Sequence, residues 1–496
     1  MVERRDLFKF SPPDREPEEL NRLRVLVFGL GSFGGGAGVA RFLAERGAEV
    51  SITDLRTEDE LSEGLSQLKD VPIAKLRLGG HDANDFEECD WLVVNPAVPP
   101  GNALLQLAGR RGARLVSEIG LFLSWCPSPH VAGITGSNGK SSTCQLLTDL
   151  LRAADFTTHL GGNFGGSLLG ALPTLKKSDR VVLELSSFQL ARLGDGVPRP
   201  PAVGITHIAP NHLDWHESFD AYRRAKEQLL LAAPTALPDS LKVAAVPRHD
   251  PSLQDLAQRG ERRLVLCGSD DPKGSGIGVR DGHLISVESD GGIEKISSLA
   301  KVSAFPRGGV HEIENAAVAS ALGLALGAPS HLIESTIASQ KSLPHRQEEI
   351  AEVAGIRFID DSKATTPEAA IAAVSAVAPH AVLLAGGHHK GGDLTRLAHT
   401  IRDGNIHVIC YGEAREKFSR AFEDSGVNPA KIELAERLGS AFEKAIETAE
   451  PGDAVLLSPA CASFDEFKNY RERSSSFRNM IEQLQNDRDS ELNASK

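Results

Sequence analysis

The stretch GITGSNGKSSTC, from Gly133 to Cys144, puts a lysine and two serines behind a glycine-rich turn. Gly136 and Gly139 let the backbone point its N–H groups inward. A helix beginning near Ser141 adds its own N-terminal donors, and together they make an anion site. Lys140 brings a mobile positive charge, and Ser141 a hydroxyl for Mg2+. The spacing departs from the usual Gly-x4-Gly-Lys-Ser/Thr phosphate loop, because Ile134 stands where its first glycine belongs. The working parts are nonetheless present in Gly136, Ser137, Asn138, Gly139, Lys140, Ser141 and Ser142. Downstream, Glu184 ends an otherwise apolar run, where a carboxylate is costly unless it meets a cation or donors. His212 and Asp214 lie just beyond another strand-like run. Mg2+ takes oxygen ligands and keeps several waters, so Ser141, Glu184 and His212 form a candidate metal set around a triphosphate.

A second glycine turn, FGLGSFGGG, carries Gly29, Gly31 and Gly34 as GxGxxG after a strand-like run, with Asp54 closing the next one. That is the dinucleotide fingerprint and its ribose-binding acid. Alone it is weak, and equally a plain strand-to-helix turn or part of a nicotinamide dehydrogenase.

These residues need a scaffold. Strand-like and helix-like runs alternate along most of the 496 residues, which predicts α/β domains with mainly parallel sheets. The strands RVLVFG, VSITD and WLVVN fall in a first segment. HVAGIT, RVVLELSS and AVGITHI fall in a second, and IRFID, AVLLAGG, HVICYG and AVLLSP in a third. The expected domains are 1–122, 123–342 and 343–496, with a β-rich insertion at 270–295. On the phosphate-loop helix, Cys144, Leu147, Leu150 and Leu151 share one face. The net charge of −13 argues against non-specific nucleic-acid binding. Six scattered cysteines without a CxxC pair predict reduced thiols in a cytosolic protein. No run is long and apolar enough to span a membrane, and a monomer is the expectation.

TGSNGKSS, LELSSFQL, HLDWHESFDAYRRAK, LPHR, DSKATT and LLSPACASFDEFKNY, in that order, resemble the bacterial Mur ligases of peptidoglycan synthesis, in particular those that add D-glutamate. The resemblance implies a Rossmann-like UDP-binding domain, a central P-loop ATPase domain and a C-terminal Rossmann-like domain. It also implies a cytoplasmic reaction in which ATP phosphorylates the carboxylate of UDP-N-acetylmuramoyl-L-alanine, and D-glutamate attacks the acyl phosphate. By motif, Lys140, Glu184, His212 and Lys226 are the catalytic set. Lys226 is implied to be carbamylated and to join Ser141, Glu184 and His212 around Mg2+. Asn315, His345, Arg346 and Asp361 are implied nucleotide contacts. Gly29, Gly31, Ser32, Asp54, Arg56, Asn163 and Ser186 are implied contacts to the UDP substrate. Lys363, Thr365, Lys390, Ser463 and Tyr470 are implied to hold D-glutamate.

Some positions depart from the family pattern: Glu312 for an Asn, Thr366 for an Asn, Tyr470 for a Phe, and no glycine after Arg473. A dehydrogenase would leave Lys140 and the lysine-bearing third segment unexplained. A phosphate-binding module without chemistry would not need Glu184, His212 and Lys226. A folylpolyglutamate-type ligase does not fit the first glycine turn or SPACAS.

Overall fold

A computed structural model describes the chain except residues 1–8, 32–34, 232–236, 273, 291–292, 307–308, 390–391 and 495–496. Ser32, Gly34 and Lys390 therefore lie outside the described residues, as does the Asp214 side chain. The chain divides into two compact units, Met1–Gln340 and Lys341–Lys496.

The first unit holds two sheets. One comprises β1 (Arg24–Phe28), β2 (Glu49–Asp54), β3 (Ile73–Leu78), β4 (Trp91–Val94) and β5 (Arg114–Val116), in the order β3-β2-β1-β4-β5. All its pairings are parallel. Val25 to Phe28 are buried on both faces, the pattern of a covered parallel strand. β3 sits on the edge with Lys75 and Arg77 exposed or half-exposed, so its polar composition hides it from a search for apolar runs.

The other sheet comprises β6 (Val131–Thr135), β7 (Thr158–Gly162), β8 (Arg180–Glu184), β9 (Ala202–Ile205), β10 (Val243–Pro247), β11 (Arg263–Cys267), β12 (Gly276–Arg280), β13 (His283–Asp290) and β14 (Ile293–Lys301). Its order is β14-β13-β12-β11-β10-β9-β6-β8-β7. The pairings β12–β13 and β13–β14 are antiparallel, so the β-rich insertion is a meander extending one edge of a parallel sheet. One apolar cluster runs from Val25 and Trp91 through Ile119 and Phe122 to Val131, Val181 and Val203, so packing is continuous between the two sheets. The polar N-terminal lead joins in: Ser11 N–H donates to Leu115 O (3.0 Å), and Trp91 Nε1 donates to Asp14 (3.0 Å).

The second unit is a six-stranded sheet: β15 (Glu348–Val353), β16 (Ile356–Asp360), β17 (Ala381–Gly386), β18 (His407–Tyr411), β19 (Ile432–Ala435) and β20 (Ala454–Leu457). Its order is β15-β16-β20-β17-β18-β19, parallel apart from the β15–β16 hairpin. The long helix Tyr470–Ala494 closes the chain.

Candidate active site

β6 lies between β8 and β9, so the loop after it is flanked by the ends of both. Gly136 has φ +153°, and a Cβ there would run into Thr206 Oγ1. At Gly139 (φ +83°) a Cβ would run into Asn315 Oδ1, which places Asn315 of the helix Val310–Ala325 directly on the loop. Ser137 N–H donates to His207 O (2.6 Å), and its hydroxyl shares a hydrogen bond with Tyr222 OH (2.8 Å). Lys140 Nζ folds back to donate to Gly136 O and Ser137 O, each at 2.8 Å. The helix Lys140–Ala153 seats Cys144, Leu147, Leu150 and Leu151 in the core, as its periodicity predicts.

Glu184, at the tip of β8, is only 1% exposed. Its carboxylate is held from both sides: Ser141 Oγ donates to Oε2 (2.6 Å) and Asn163 Nδ2 to Oε1 (2.7 Å). Asn163 N–H also donates to Glu184 O (2.8 Å). Lys226, also 1% exposed, donates from Nζ to Gly136 O (2.7 Å) and Thr135 Oγ1 (3.4 Å). Burial pushes its amine well below the ordinary lysine range; Lys140 adds to the shift and Glu184 opposes it. Tyr222 and Lys226 are four residues apart on the helix Phe219–Glu227, so one helical face serves both the loop and the lysine. His212 stands at the N-cap position of the short helix Leu213–His216 at φ +53°, its ring 4.7 Å from that of Phe188. His216 pairs with Ser187 Oγ (3.0 Å), so this segment packs on the turn immediately after Glu184.

Ser141, Glu184 and Lys226 thus gather under the phosphate loop. The Ser141 hydroxyl and the Glu184 carboxylate are hard oxygen donors that suit Mg2+, whereas the Lys226 amine as it stands offers no oxygen. Among the described residues, the His, Asp and Glu group close enough to share a metal is elsewhere: His345, Glu348 and Asp360. Arg478 already donates to Glu348 (2.6 Å) and Asp360 (2.9 Å), which makes that group an ion-pair hub.

The first glycine turn has Gly29 at φ +88° and Gly31 at φ +76°, with the Asn95 side chain packed beneath both. Asp54 accepts from Leu30 N–H (2.9 Å) and from Arg56 Nη2 (3.1 Å). Burial opposes ionisation of Asp54, but the Arg56 and Leu30 hydrogen bonds together hold its carboxyl below the usual range. Ser186 caps the helix Ser187–Leu190 in a reciprocal box with Gln189. Asn95 and the Asn163–Glu184 link were not legible from the motifs.

In the second unit, DSKATT, GGHHKGG and SPACAS follow β16, β17 and β20. These are adjacent parallel strands, so the three loops share one sheet edge. Asp361 is 5% exposed and accepts from Ser458 Oγ (2.7 Å). Burial pushes its carboxyl up to about 7, against the Ser458 hydrogen bond and the Arg346 charge. Lys363 Nζ stands 5.6 Å from the Tyr470 ring centroid. Thr365 N–H donates to Lys363 O (3.0 Å), and Ser463 O accepts from Phe467 N–H (2.8 Å). Arg473, fully buried, joins two of the loops by donating to Ser362 O (2.7 Å) and Cys461 O (3.1 Å).

The departures have structural counterparts. Ser474, where a glycine was expected, donates to Asp360 (2.6 Å) and lies 2.7 Å from His345 Nδ1. Thr366 caps the helix Pro367–Val377, Glu312 lies in the first turn of Val310–Ala325, and the Tyr470 ring meets His345 edge-on at 5.7 Å.

Three family models match: the Mur ligase MurD-like N-terminal domain over residues 23–117, the Mur ligase middle domain over 134–323, and the Mur ligase glutamate ligase domain over 345–461. The UDP-N-acetylmuramoylalanine–D-glutamate ligase of Roseiflexus sp. is 37% identical over 92% of this chain and 98% of its own length. Its counterpart from Geotalea uraniireducens is 34% identical over 94% and 98%. Among solved structures, a murein peptide ligase from Psychrobacter arcticus superposes with TM-score 0.53 at 16% identity, covering 92% of this chain and 98% of that one. A folylpolyglutamate synthase from Mycobacterium tuberculosis gives 0.52 at 15% identity, covering 71% and 92%. These two show the shared fold. The full-length relatives decide the matter: the chain belongs to the Mur ligase family, among the UDP-N-acetylmuramoylalanine–D-glutamate ligases.

Proposed function

We propose that the chain joins D-glutamate to UDP-N-acetylmuramoyl-L-alanine at the expense of ATP, in peptidoglycan precursor synthesis in the cytoplasm. The observation that carries this reading is the buried Ser141–Glu184 pair under a phosphate loop, in a chain matching such ligases over nearly its whole length. A carboxylate is a poor electrophile. Attack of one of its oxygens on the γ-phosphorus of ATP expels ADP and gives an acyl phosphate. The neutral amine of D-glutamate then attacks the acyl carbon, phosphate leaves, the amine loses a proton, and an amide remains. Lys140 swings from its own loop carbonyls to the transferring phosphate and stabilises charge there. Mg2+ held by oxygens of Ser141 and Glu184, with His212 close by, would neutralise the phosphates.

Lys226 fits this site best as a carbamate. Its burial favours the neutral amine, and a neutral amine attacks CO2, loses a proton and becomes an oxygen ligand of negative charge. Gly29, Gly31, Ser32, Asp54 and Arg56 take the UDP end of the substrate, and Asn163 and Ser186 its sugar-peptide end. Asn315, Arg346 and Asp361 meet the nucleotide. Lys363, Thr365, Lys390, Ser463 and Tyr470 take the glutamate carboxylates by charge-assisted hydrogen bonds and packing. Three domains, 1–122, 123–342 and 343–496, in a monomer complete the proposal. The test is phosphate release from ATP. It should require both UDP-N-acetylmuramoyl-L-alanine and D-glutamate; release that instead depends on a folate would overturn the reading.

A further inference from the structure

The turn that delivers Asn163 to Glu184 is itself held from its far side. β7 ends at Gly162, whose N–H donates to Gly166 O (2.8 Å) and closes a tight turn. One residue on, Ser167 Oγ donates to Glu118 Oε1 at 2.6 Å. Ser167 also presses on Gly38 in the helix Gly35–Ala44, where a Cβ would come within 2.8 Å of the Ser167 Cβ. Glu118 opens the helix Glu118–Trp125, yet Ser117 does the capping by accepting from Gly120 N–H (3.2 Å). A first-turn acid suits a helix dipole, which accounts for the residue type but not for its reach to a serine 49 residues away. Glu118 is half-buried, and burial pushes its carboxyl up to about 7, against the Ser167 hydrogen bond. No cation pairs with it among the described residues.

We propose that Glu118 is a positioning residue for the ligase reaction: through Ser167 it holds the 162–167 turn in the place from which Asn163 orients the Glu184 carboxylate beside Ser141. The inference rests on the assignment of Ser141 and Glu184 to the Mg2+–ATP site. Asn163 occupies Oε1 and leaves Oε2 toward Ser141, so a displaced turn frees the carboxylate to rotate. Through its packing on Gly38, Ser167 also ties the 162–167 turn to the helix Gly35–Ala44 that follows the first glycine turn, so one turn bears on both proposed substrate sites.

The test compares Glu118→Ala, Ser167→Ala, their double variant and Glu118→Gln. Calorimetric binding of a non-hydrolysable ATP analogue at graded Mg2+ is the main readout, with kcat and KM beside it and thermal unfolding to confirm folding. Each alanine variant should raise the Mg2+ needed for half-maximal nucleotide binding roughly tenfold, as loss of an outer-shell partner does. The double variant should be no worse than either single one, because both break one contact. Glu118→Gln, whose amide oxygen still accepts from Ser167, should stay within about twofold of the unaltered protein. Ser167→Ala carries the test alone if Glu118→Ala does not fold. Unchanged Mg2+ dependence in folded alanine variants, or effects that add, would overturn the proposal. Unaltered protein that binds no nucleotide would overturn the ATP-site assignment itself, which separates that failure from a silent Glu118.

Discussion

The turn after β1 and the turn after β6 are built alike, each a glycine-rich bend at the end of a central parallel strand, with left-handed or near-extended glycines packed against a neighbouring side chain. Their side chains are arranged differently. At the first, Asp54 accepts from the backbone N–H of Leu30 and pairs with Arg56. At the second, Lys140 and Lys226 donate to the loop's carbonyls, and Glu184 is clasped by Ser141 and Asn163. In the function proposed above, the first holds the UDP end of the substrate in one place. The second, in the same proposed function, sets the mobile Lys140 cation beside hard oxygen donors, as a travelling phosphoryl group requires. On that proposal, two similar bends separate binding from chemistry through the side chains grafted on them.

The largest expected effect breaks the chemical turn. Lys140→Ala should lower kcat by about 100-fold or more, the scale of one lost transition-state contact. Steady-state kinetics on folded protein measures it, and near-normal turnover would remove the loop from the ATP site. Lys226→Ala comes next. Most activity should go, and formate or acetate should restore part of it by standing in for the carbamate, while Lys226→Arg remains inactive. An Arg variant with full activity would end the carbamate reading.

Asp54→Asn addresses the other turn. It should raise KM for the sugar nucleotide by roughly tenfold, the size of a weakened charge-assisted contact, and leave kcat within about threefold. An equal fall in kcat would mean that the two turns do not divide the work.

A difference in pH dependence sharpens the contrast further. Asp54 has a lowered pKa, so its contribution to stability is present above the unfolded carboxylate value and is lost only in acid. Asp361 is pushed up to about 7. Between the ordinary carboxylate value and that point the folded state binds the extra proton, so stability should fall as pH rises through the window. Asp361→Asn should flatten this fall, worth on the order of 4 kcal/mol over the whole window, whereas Asp54→Asn should lower stability uniformly from pH 5 to 8. Thermal unfolding across that range reads both, and parallel curves for the unaltered protein and Asp361→Asn would refute the asymmetry.

The phosphate loop was legible because everything it needs is contiguous: a buried strand, glycines, a lysine, then a helix with one apolar face. DSKATT, GGHHKGG and SPACAS were legible as loops after strands at the binding edge of an open sheet. That the three are immediate neighbours there depends on the order β16-β20-β17, which pairs the last strand of the chain between two earlier ones. β3 escaped because an exposed edge strand need not alternate or be apolar. Asn163 was read as a substrate contact, and its hold on Glu184 could not be seen, because the two meet only once β7 and β8 pair. Arg473 carries no signal of its role in the polar run RERSSSF, yet it is fully buried between two loops.

The central claim is that the alanyl carboxylate is activated as an acyl phosphate at the second turn. Oxygen-18 placed in that carboxylate tests it directly. One labelled oxygen should appear in the phosphate released with each amide bond formed, read by mass spectrometry or by the isotope shift in the phosphorus spectrum. Phosphate free of label, with amide product accumulating, would contradict the account.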